Sequence, residues 1–203
     1  MRDATQIKVW DPLVRVFHWS LVASFTIAFA SGEDFLTLHS WAGYTIFGLL
    51  LIRIIWGLIG TRHARFSDFV FRPATIKAFL KDTLHFRARR YLGHNPAGGA
   101  MVILLMLSLL LTGFTGLLVY GAEEHAGPLA HWFSAQAGIW AEVSEEAHEF
   151  FANFTLLLVL IHVIGVLVES LIHRENLVAA MFTGYKPATT SNTTQTPANH
   201  QEV

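Results

Sequence analysis

Four histidines lie within long apolar stretches of the chain: His18, His39, His148 and His162. Ionisable side chains are costly inside such stretches, so these residues are candidates for function by default. His148 and His162 are fourteen residues apart, so one helix would present both imidazoles on nearly the same face, about 21 Å apart along its axis. The spacing therefore indicates two metal-binding levels along a single helix.

The stretches that carry these histidines are predicted membrane spans. Of the 203 residues, 53% are hydrophobic and 14% are charged. About 20 apolar residues in a helix cross a ~30 Å hydrocarbon core, and four such segments occur, at about residues 13–31, 40–60, 100–120 and 147–172. We therefore expect an all-α integral membrane four-helix bundle over residues 1–185. Residues 186–203 are polar and low in complexity, which predicts a disordered tail.

The distribution of basic residues predicts the orientation of the bundle. The segment 61–99 carries eight lysines and arginines, whereas segments 32–38 and 121–146 carry none. Basic loops stay on the cytoplasmic side of a membrane. Both termini and the 61–99 segment are therefore expected to be cytoplasmic, and the other two loops to be outside.

This topology sorts the four histidines into two pairs by depth, with His39 and His148 near the outer surface and His18 and His162 nearer the cytoplasm. Two facing imidazoles at each of two levels are what two b-type haems require, and two axial imidazoles favour electron transfer over oxygen binding. The chain has no cysteine, which excludes thiolate-bound iron–sulfur clusters and covalently attached c-type haem.

Other interpretations of the histidines are weaker. A zinc or di-iron centre is disfavoured because carboxylates are missing at matching depths. A hydrogen bond to a neighbouring helix would explain any single histidine, but not four that match in depth. Histidines outside the spans or at their edge are not expected to bind metal: His63, His85, His94, His125, His131 and His173.

Arg53 is the candidate partner for a haem propionate. It follows His39 by fourteen residues, so it shares that helix face and lies at the level of the cytoplasmic pair. A guanidinium binds a carboxylate through two hydrogen bonds. The alternative is that Arg53 extends to the lipid headgroups. Four glycines would let a porphyrin lie against backbone, or would serve ordinary helix packing: Gly43, Gly48, Gly113 and Gly116.

Several short motifs resemble the prokaryotic cytochrome b561 family, which includes the membrane b subunits of nickel–iron hydrogenases. They are WDPLVRVFHW at 10–19, LHSWAGY at 38–44, RIIWG at 53–57 and the two histidines of the fourth span. The resemblance covers about residues 9–185 and assigns the axial ligands to the same four histidines. It implies a bacterial cytoplasmic (inner) membrane location, and electron transfer between exchangeable quinone and a redox partner at the outer surface.

Three functions are consistent with these features. The first is an electron-transfer subunit that links quinone to a periplasmic c-type cytochrome or hydrogenase-like protein. The second is a stand-alone superoxide:quinone oxidoreductase, and the third is a haem-free membrane anchor. The outer loops are acidic and lack lysine and arginine, which suits a basic partner protein better than an anionic substrate. The first function is therefore favoured. We expect no catalytic residue and no nucleic-acid partner, and a homodimer is compatible with the sequence.

Glu169 is a candidate proton carrier for the quinone. It follows His162 by seven residues, which places it two turns further toward the cytoplasm on nearly the same face. A carboxylate there would exchange protons with a quinone that reacts at the cytoplasmic haem. The alternative is that Glu169 lies in headgroup water or pairs with a basic residue such as Arg174.

Overall fold

The computed structural model describes residues 6–32, 34–133 and 138–188. In chain order the strands and helices are β1 (Gln6–Lys8), α1 (Pro12–Ser31), α2 (Leu36–Ile59), α3 (Phe66–Phe69), α4 (Pro73–Leu84), α5 (Pro96–Ala122), α6 (Ile139–His173), α7 (Leu177–Thr183) and β2 (Tyr185–Pro187). Helices α1, α2, α5 and α6 are long and apolar enough to cross a membrane. The predicted all-α membrane bundle with four spans is confirmed.

The spanning helices begin earlier than their apolar segments predicted. Helix α5 starts at Pro96, where the Asn95 side chain accepts a hydrogen bond from the Gly98 amide at 2.6 Å. This side-chain cap fixes the first turn. Helix α6 starts at Ile139 and spans 35 residues, which is about 50 Å of helix. Its first turns contain several glutamates, so hydropathy alone placed the start eight residues too late.

The four long helices form two hairpins. Helix α1 packs along α2, α5 packs along α6, and the hairpins meet where α2 contacts α5. The buried core at this contact consists of Ala28, Ala42, Ile46, Leu50, Met106 and Leu109. Within the second hairpin, the buried hydroxyls of Ser108 and Thr155 are 2.6 Å apart. This hydrogen bond satisfies two polar groups that hydrocarbon cannot solvate.

Residues 6 and 188, the first and last that the structure describes, lie at the same end of the bundle. Strands β1 and β2 pair antiparallel, with Ile7 opposite Lys186. The segment that joins α2 to α5 reaches the same end and buries Ala64 against Val9, Trp10, Val14 and Ala180. We call this the basic end (residues 6–15, 60–95 and 169–188). The acidic end comprises residues 32, 34–35, 123–133 and 138–149. Which end faces the cytoplasm stays a prediction.

The predicted start of the disordered tail is wrong. Lys186 and Pro187 belong to strand β2, because their backbone pairs with Ile7 and Gln6. The Lys186 side chain is buried, and its Nζ donates to the Tyr91 carbonyl at 3.4 Å. The rest of the predicted tail, from residue 189 onward, lies outside the described residues.

Asp11 connects three segments at the basic end. Its carboxylate accepts hydrogen bonds from the Val14 amide at 2.9 Å, from Trp56 Nε1 at 3.0 Å and from Thr61 Oγ1 at 2.5 Å. It therefore caps α1 and ties that helix to the end of α2. Burial raises the pKa of Asp11, but these hydrogen bonds together outweigh burial and hold the pKa below its ordinary value of 3.8.

Asp11→Ala is expected to lower the free energy of unfolding by about 1–3 kcal/mol, because it leaves buried donors without an acceptor. The matched control is Asp34→Ala, at an exposed carboxylate in the α1–α2 turn. The pKa of Asp11 is lower in the folded state than its ordinary value of 3.8 in the unfolded chain. Asp11 therefore stabilises the fold fully above pH 3.8, and this stabilisation is lost as the pH falls through the folded-state pKa. Thermal unfolding in detergent at pH 7 and pH 3 measures both effects, and equal melting of the two variants at pH 7 would contradict this role.

Candidate functional site

The imidazoles of His39 on α2 and His148 on α6 face each other near the acidic end. Their ring centroids are 5.8 Å apart and their planes lie at 83°. Imidazole nitrogens bind first-row metals at about 2 Å, so two rings on opposite sides of one metal have centroids about 6 Å apart. The observed separation fits one iron between them. We call these two residues the acidic-end pair.

Hydrogen bonds orient both rings of the acidic-end pair. His39 Nδ1 lies 2.9 Å from the Ala28 carbonyl oxygen, and His148 Nδ1 lies 2.9 Å from the Thr112 carbonyl oxygen. Each Nδ1 must be the donor because a carbonyl can only accept, so the proton is on Nδ1. The acceptor nitrogen Nε2 is then left for a metal, which is the usual support of a histidine ligand.

The four glycines have different surroundings. A Cβ on Gly116 would lie 2.9 Å from the His148 ring, and one on Gly113 would clash with the Phe47 ring. These two glycines therefore admit protein side chains rather than a porphyrin. Gly43 and Gly48 have nothing within 4 Å of an added Cβ. Gly43 shares the face of His39, whereas Gly48 lies on the opposite face, so only Gly43 fits a porphyrin beside the acidic-end pair.

We call His18 on α1 and His162 on α6 the basic-end pair, since the sequence predicts both at this level of the bundle. The His18 ring meets Trp19 edge-on, at 5.0 Å between ring centroids. Its Nδ1 is buried without a hydrogen-bond partner among the described residues. Among the described residues, His18 therefore lacks the carbonyl support that orients both rings of the acidic-end pair.

Arg53 is buried, with only 3% of its surface exposed. The alternative that it extends to lipid headgroups is therefore wrong. Its guanidinium lies over the rings of Phe66 and Phe69, at 5.1 Å and 5.7 Å from their centroids. Within the described part of the chain, its Nη1 has no hydrogen-bond partner. An unpaired buried cation is costly, so the site fits a carboxylate brought by a cofactor.

His94 is a residue that sequence analysis missed. It lies just before α5, with its ring 4.7 Å from that of Trp10 and 4.6 Å from that of Phe69. Burial lowers the pKa of His94 to about 3, and the charge of Arg53 acts in the same direction. Its Nδ1 is buried and has no partner among the residues described. No local pattern marks this histidine, because its neighbours come from distant parts of the chain.

Glu169 pairs with His173 rather than with Arg174. The carboxylate Oε2 lies 3.2 Å from His173 Nε2, and each side chain is 13% exposed. The second carboxylate oxygen, Oε1, is buried without a partner in the described chain. Arg174 instead ends α6 in the left-handed conformation. The contact of Glu169 with His173 is thus a pairing with a basic residue, although not with the one that the alternative named.

The unpaired buried polar atoms of the described residues cluster at the basic-end level. They belong to Arg15, His18, Trp19, Arg53, His94, Glu169 and His173, and the His173 atom is the Nε2 that contacts Glu169 without forming a hydrogen bond. In the described ranges no three or more histidine, aspartate or glutamate side chains gather as a metal site, so two-ligand sites are what the donor set offers. Facing imidazoles at one level, and imidazoles with a buried guanidinium at the other, fit b-type haem.

Comparisons with known proteins agree with this donor set. A family model described as prokaryotic cytochrome b561 matches residues 9–184. A protein from Azotobacter vinelandii named "Probable Ni/Fe-hydrogenase B-type cytochrome subunit" is 23% identical, over 92% of this chain and 90% of its own. Proteins of the same name from Rhizobium leguminosarum bv. viciae and Cupriavidus necator are 25% and 24% identical, over 90% and 88% of this chain and 89% and 86% of theirs. No solved structure matches.

Gly43→Leu is expected to remove about half of the bound haem, because the new side chain fills the space beside His39. Gly48→Leu is the matched control, since that glycine also borders open space but lies on the opposite face of α2. Haem content per chain and the visible spectrum of the purified variants measure the effect. Equal haem content in the two variants would place the porphyrin elsewhere.

Proposed function

The chain belongs to the prokaryotic cytochrome b561 family, and on that premise we propose that it carries electrons between membrane quinone and a periplasmic redox partner by means of two b-type haems. Membership implies b-type haem and membrane electron transfer. The proposal of an acidic-end haem rests chiefly on the 5.8 Å separation of the His39 and His148 rings. The proposal of a basic-end haem rests on His18, His162 and the buried Arg53.

In this proposal the four histidines would hold the two haems and restrict them to electron transfer. Each bound haem supplies reversible one-electron chemistry. His39 and His148 would hold one iron from opposite faces, and His18 and His162 the other, so that neither iron keeps an open position for oxygen. Helix α6 contributes one ligand to each site, and its rigidity sets the distance between them.

Charge at the two ends supports an orientation and a kind of partner. The basic end would face the cytoplasm by the distribution of lysine and arginine. At the acidic end, the exposed carboxylates are Asp34, Glu123, Glu124, Glu142, Glu145, Glu146 and Glu149. A basic protein surface complements this end, whereas superoxide would be repelled. The curated relatives are named as hydrogenase subunits, so the partner we propose is a hydrogenase or a c-type cytochrome.

The quinone is proposed to react at the basic end. Glu169 and His173 form an acid–base pair two to three turns beyond His162 on α6. Quinone reduction takes up protons, and quinol oxidation releases them. A carboxylate in contact with an imidazole can accept or return such protons. Both side chains are largely removed from water, so the pair exchanges protons with a bound ligand more readily than with bulk solvent.

His148→Ala and His162→Ala are expected to lose one haem each, the acidic-end and the basic-end haem respectively, because each substitution removes one axial ligand. In His148→Ala a reduced quinone should still reduce the remaining haem, but electron exchange with a basic c-type cytochrome should fall at least tenfold. In His162→Ala reduction by the quinone should be lost instead. Visible spectra and stopped-flow absorbance measure these outcomes.

The control for these variants is His131→Ala, at an exposed histidine of the acidic-end loop, which should keep both haems and both reactions. Retention of two haems per chain in either test variant would refute the ligand assignment. A quinone reaction that survives in His162→Ala and fails in His148→Ala would move the quinone site to the acidic end.

Arg53→Leu is expected to keep both haems but to lower the midpoint potential of the basic-end haem, because the reduced state loses a stabilising cation. A unit charge roughly 10 Å from a redox centre, at an effective dielectric constant of about 20, contributes ~1.7 kcal/mol, or on the order of 70 mV. A spectroelectrochemical titration measures both midpoints. Arg65→Leu, at an exposed arginine of the same end, is the control; two unmoved midpoints in Arg53→Leu would exclude the propionate role.

A further inference from the structure

His94 and Arg53 both lie against the ring of Phe69, and each has a buried nitrogen without a hydrogen-bond partner among the described residues. Phe69 is almost completely buried, at 1% exposure. The guanidinium carbon of Arg53 lies 5.7 Å from the centroid of its ring, and the His94 ring lies 4.6 Å from the same centroid. Arg53 Nη1 and His94 Nδ1 are both buried without a partner among the described residues. Two buried nitrogens without partners beside the same ring are explained most simply by one missing group that binds both.

The His94 ring is held in place rather than merely enclosed. Trp10 packs against it at 4.7 Å, with Phe69 also in contact. The next residue, Asn95, caps α5 through its side chain and so fixes the backbone. On the other side, a Cβ on Gly93 would lie 2.8 Å from His63 Nδ1, so only glycine lets this turn pass so close to His63. A preorganised donor of this kind costs little to use in binding.

The charges that act on His94 indicate the kind of acceptor. They are those of Arg53, Lys186, His162 and His63, all of them cations or bases. No carboxylate is among them. Burial and these cations lower the pKa of His94, so its imidazole is neutral at physiological pH. A neutral imidazole donates a hydrogen bond from Nδ1 when that nitrogen carries the proton, and this is the tautomer that the proposed contact requires. The missing acceptor is therefore expected to be an anion, and a carboxylate suits both donors.

We propose that His94 and Arg53 bind the same propionate carboxylate of the basic-end haem, with Nδ1 of His94 and Nη1 of Arg53 as the donors. This inference rests on the proposed function, since it needs a haem between His18 and His162. It adds a cofactor-binding residue from the segment before α5, which contributes none of the four axial ligands. The sequence signal was absent because His94 lies 41 residues from Arg53.

The test is a set of substitutions in the haem-loaded protein. His94→Phe keeps a flat ring between Trp10 and Phe69 but removes the donor, His94→Leu removes the donor in a second shape, and His94→Gln keeps a donor. The control is His85→Phe, at an exposed histidine whose Nδ1 already bonds the Lys81 carbonyl at 2.7 Å. The readouts are the midpoint potentials of both haems and the propionate bending mode in resonance Raman spectra.

Both donor-free variants should lower the midpoint of the basic-end haem and shift its propionate mode, while the acidic-end midpoint stays in place. His94→Gln should restore most of both signals. Because one carboxylate is shared, His94→Phe combined with Arg53→Leu should shift the midpoint by less than the sum of the single shifts. Strictly additive shifts would overturn the shared carboxylate, and an unmoved midpoint and propionate mode in either donor-free variant would overturn the inference.

These outcomes separate this inference from the function it rests on. A wild-type protein with fewer than two haems would refute the proposed function before any variant is compared. A wild-type protein with two haems, and His94 variants that match it in potential and in the propionate mode, would refute only the role of His94.

Discussion

The fold depends on one constraint: a polar group inside hydrocarbon must find a partner within the protein or in a bound cofactor. At the acidic end the protein meets this constraint by itself. His39 and His148 each donate from Nδ1 to a backbone carbonyl of a neighbouring helix. The two rings thereby become fixed acceptors that face each other across the space between α2 and α6. Each ring thereby keeps the lone pair of its Nε2 for the iron that we propose it binds.

The basic end solves the same problem differently. Its hydrogen bonds and ion pairs assemble the chain termini, through Asp11, Lys186 and the contact between Arg90 and Glu175. Inside this shell, however, Arg53 and His94 keep buried donors with no acceptor in the described chain. A protein rarely retains such groups without a use for them. Two unlike ends of one bundle suit a carrier whose two sites face different partners and are expected to hold their electrons at different potentials.

The sequence predicted what helical geometry alone determines. Spacing along single helices predicted one face of α6 for His148 and His162, and the face of His39 for Arg53, because an α-helix returns to one face at regular intervals. Prediction from the sequence failed where contacts between distant segments determine the structure. Helix α6 begins within an acidic segment that hydropathy discounts, and Lys186 joins a strand with residues near the other terminus. The proposed role of His94 depends on its contacts with Trp10 and Phe69, which no local pattern connects to it.

The central claim is that the chain holds two b-type haems, one at each level of α6. The most direct measurement is the ratio of haem to protein in the purified full-length chain, by acid–organic extraction and absorbance. Two protohaem molecules per chain, both extractable because no cysteine tethers them, with low-spin spectra, are the result expected. One haem per chain, none, or a high-spin iron with an open position would contradict it.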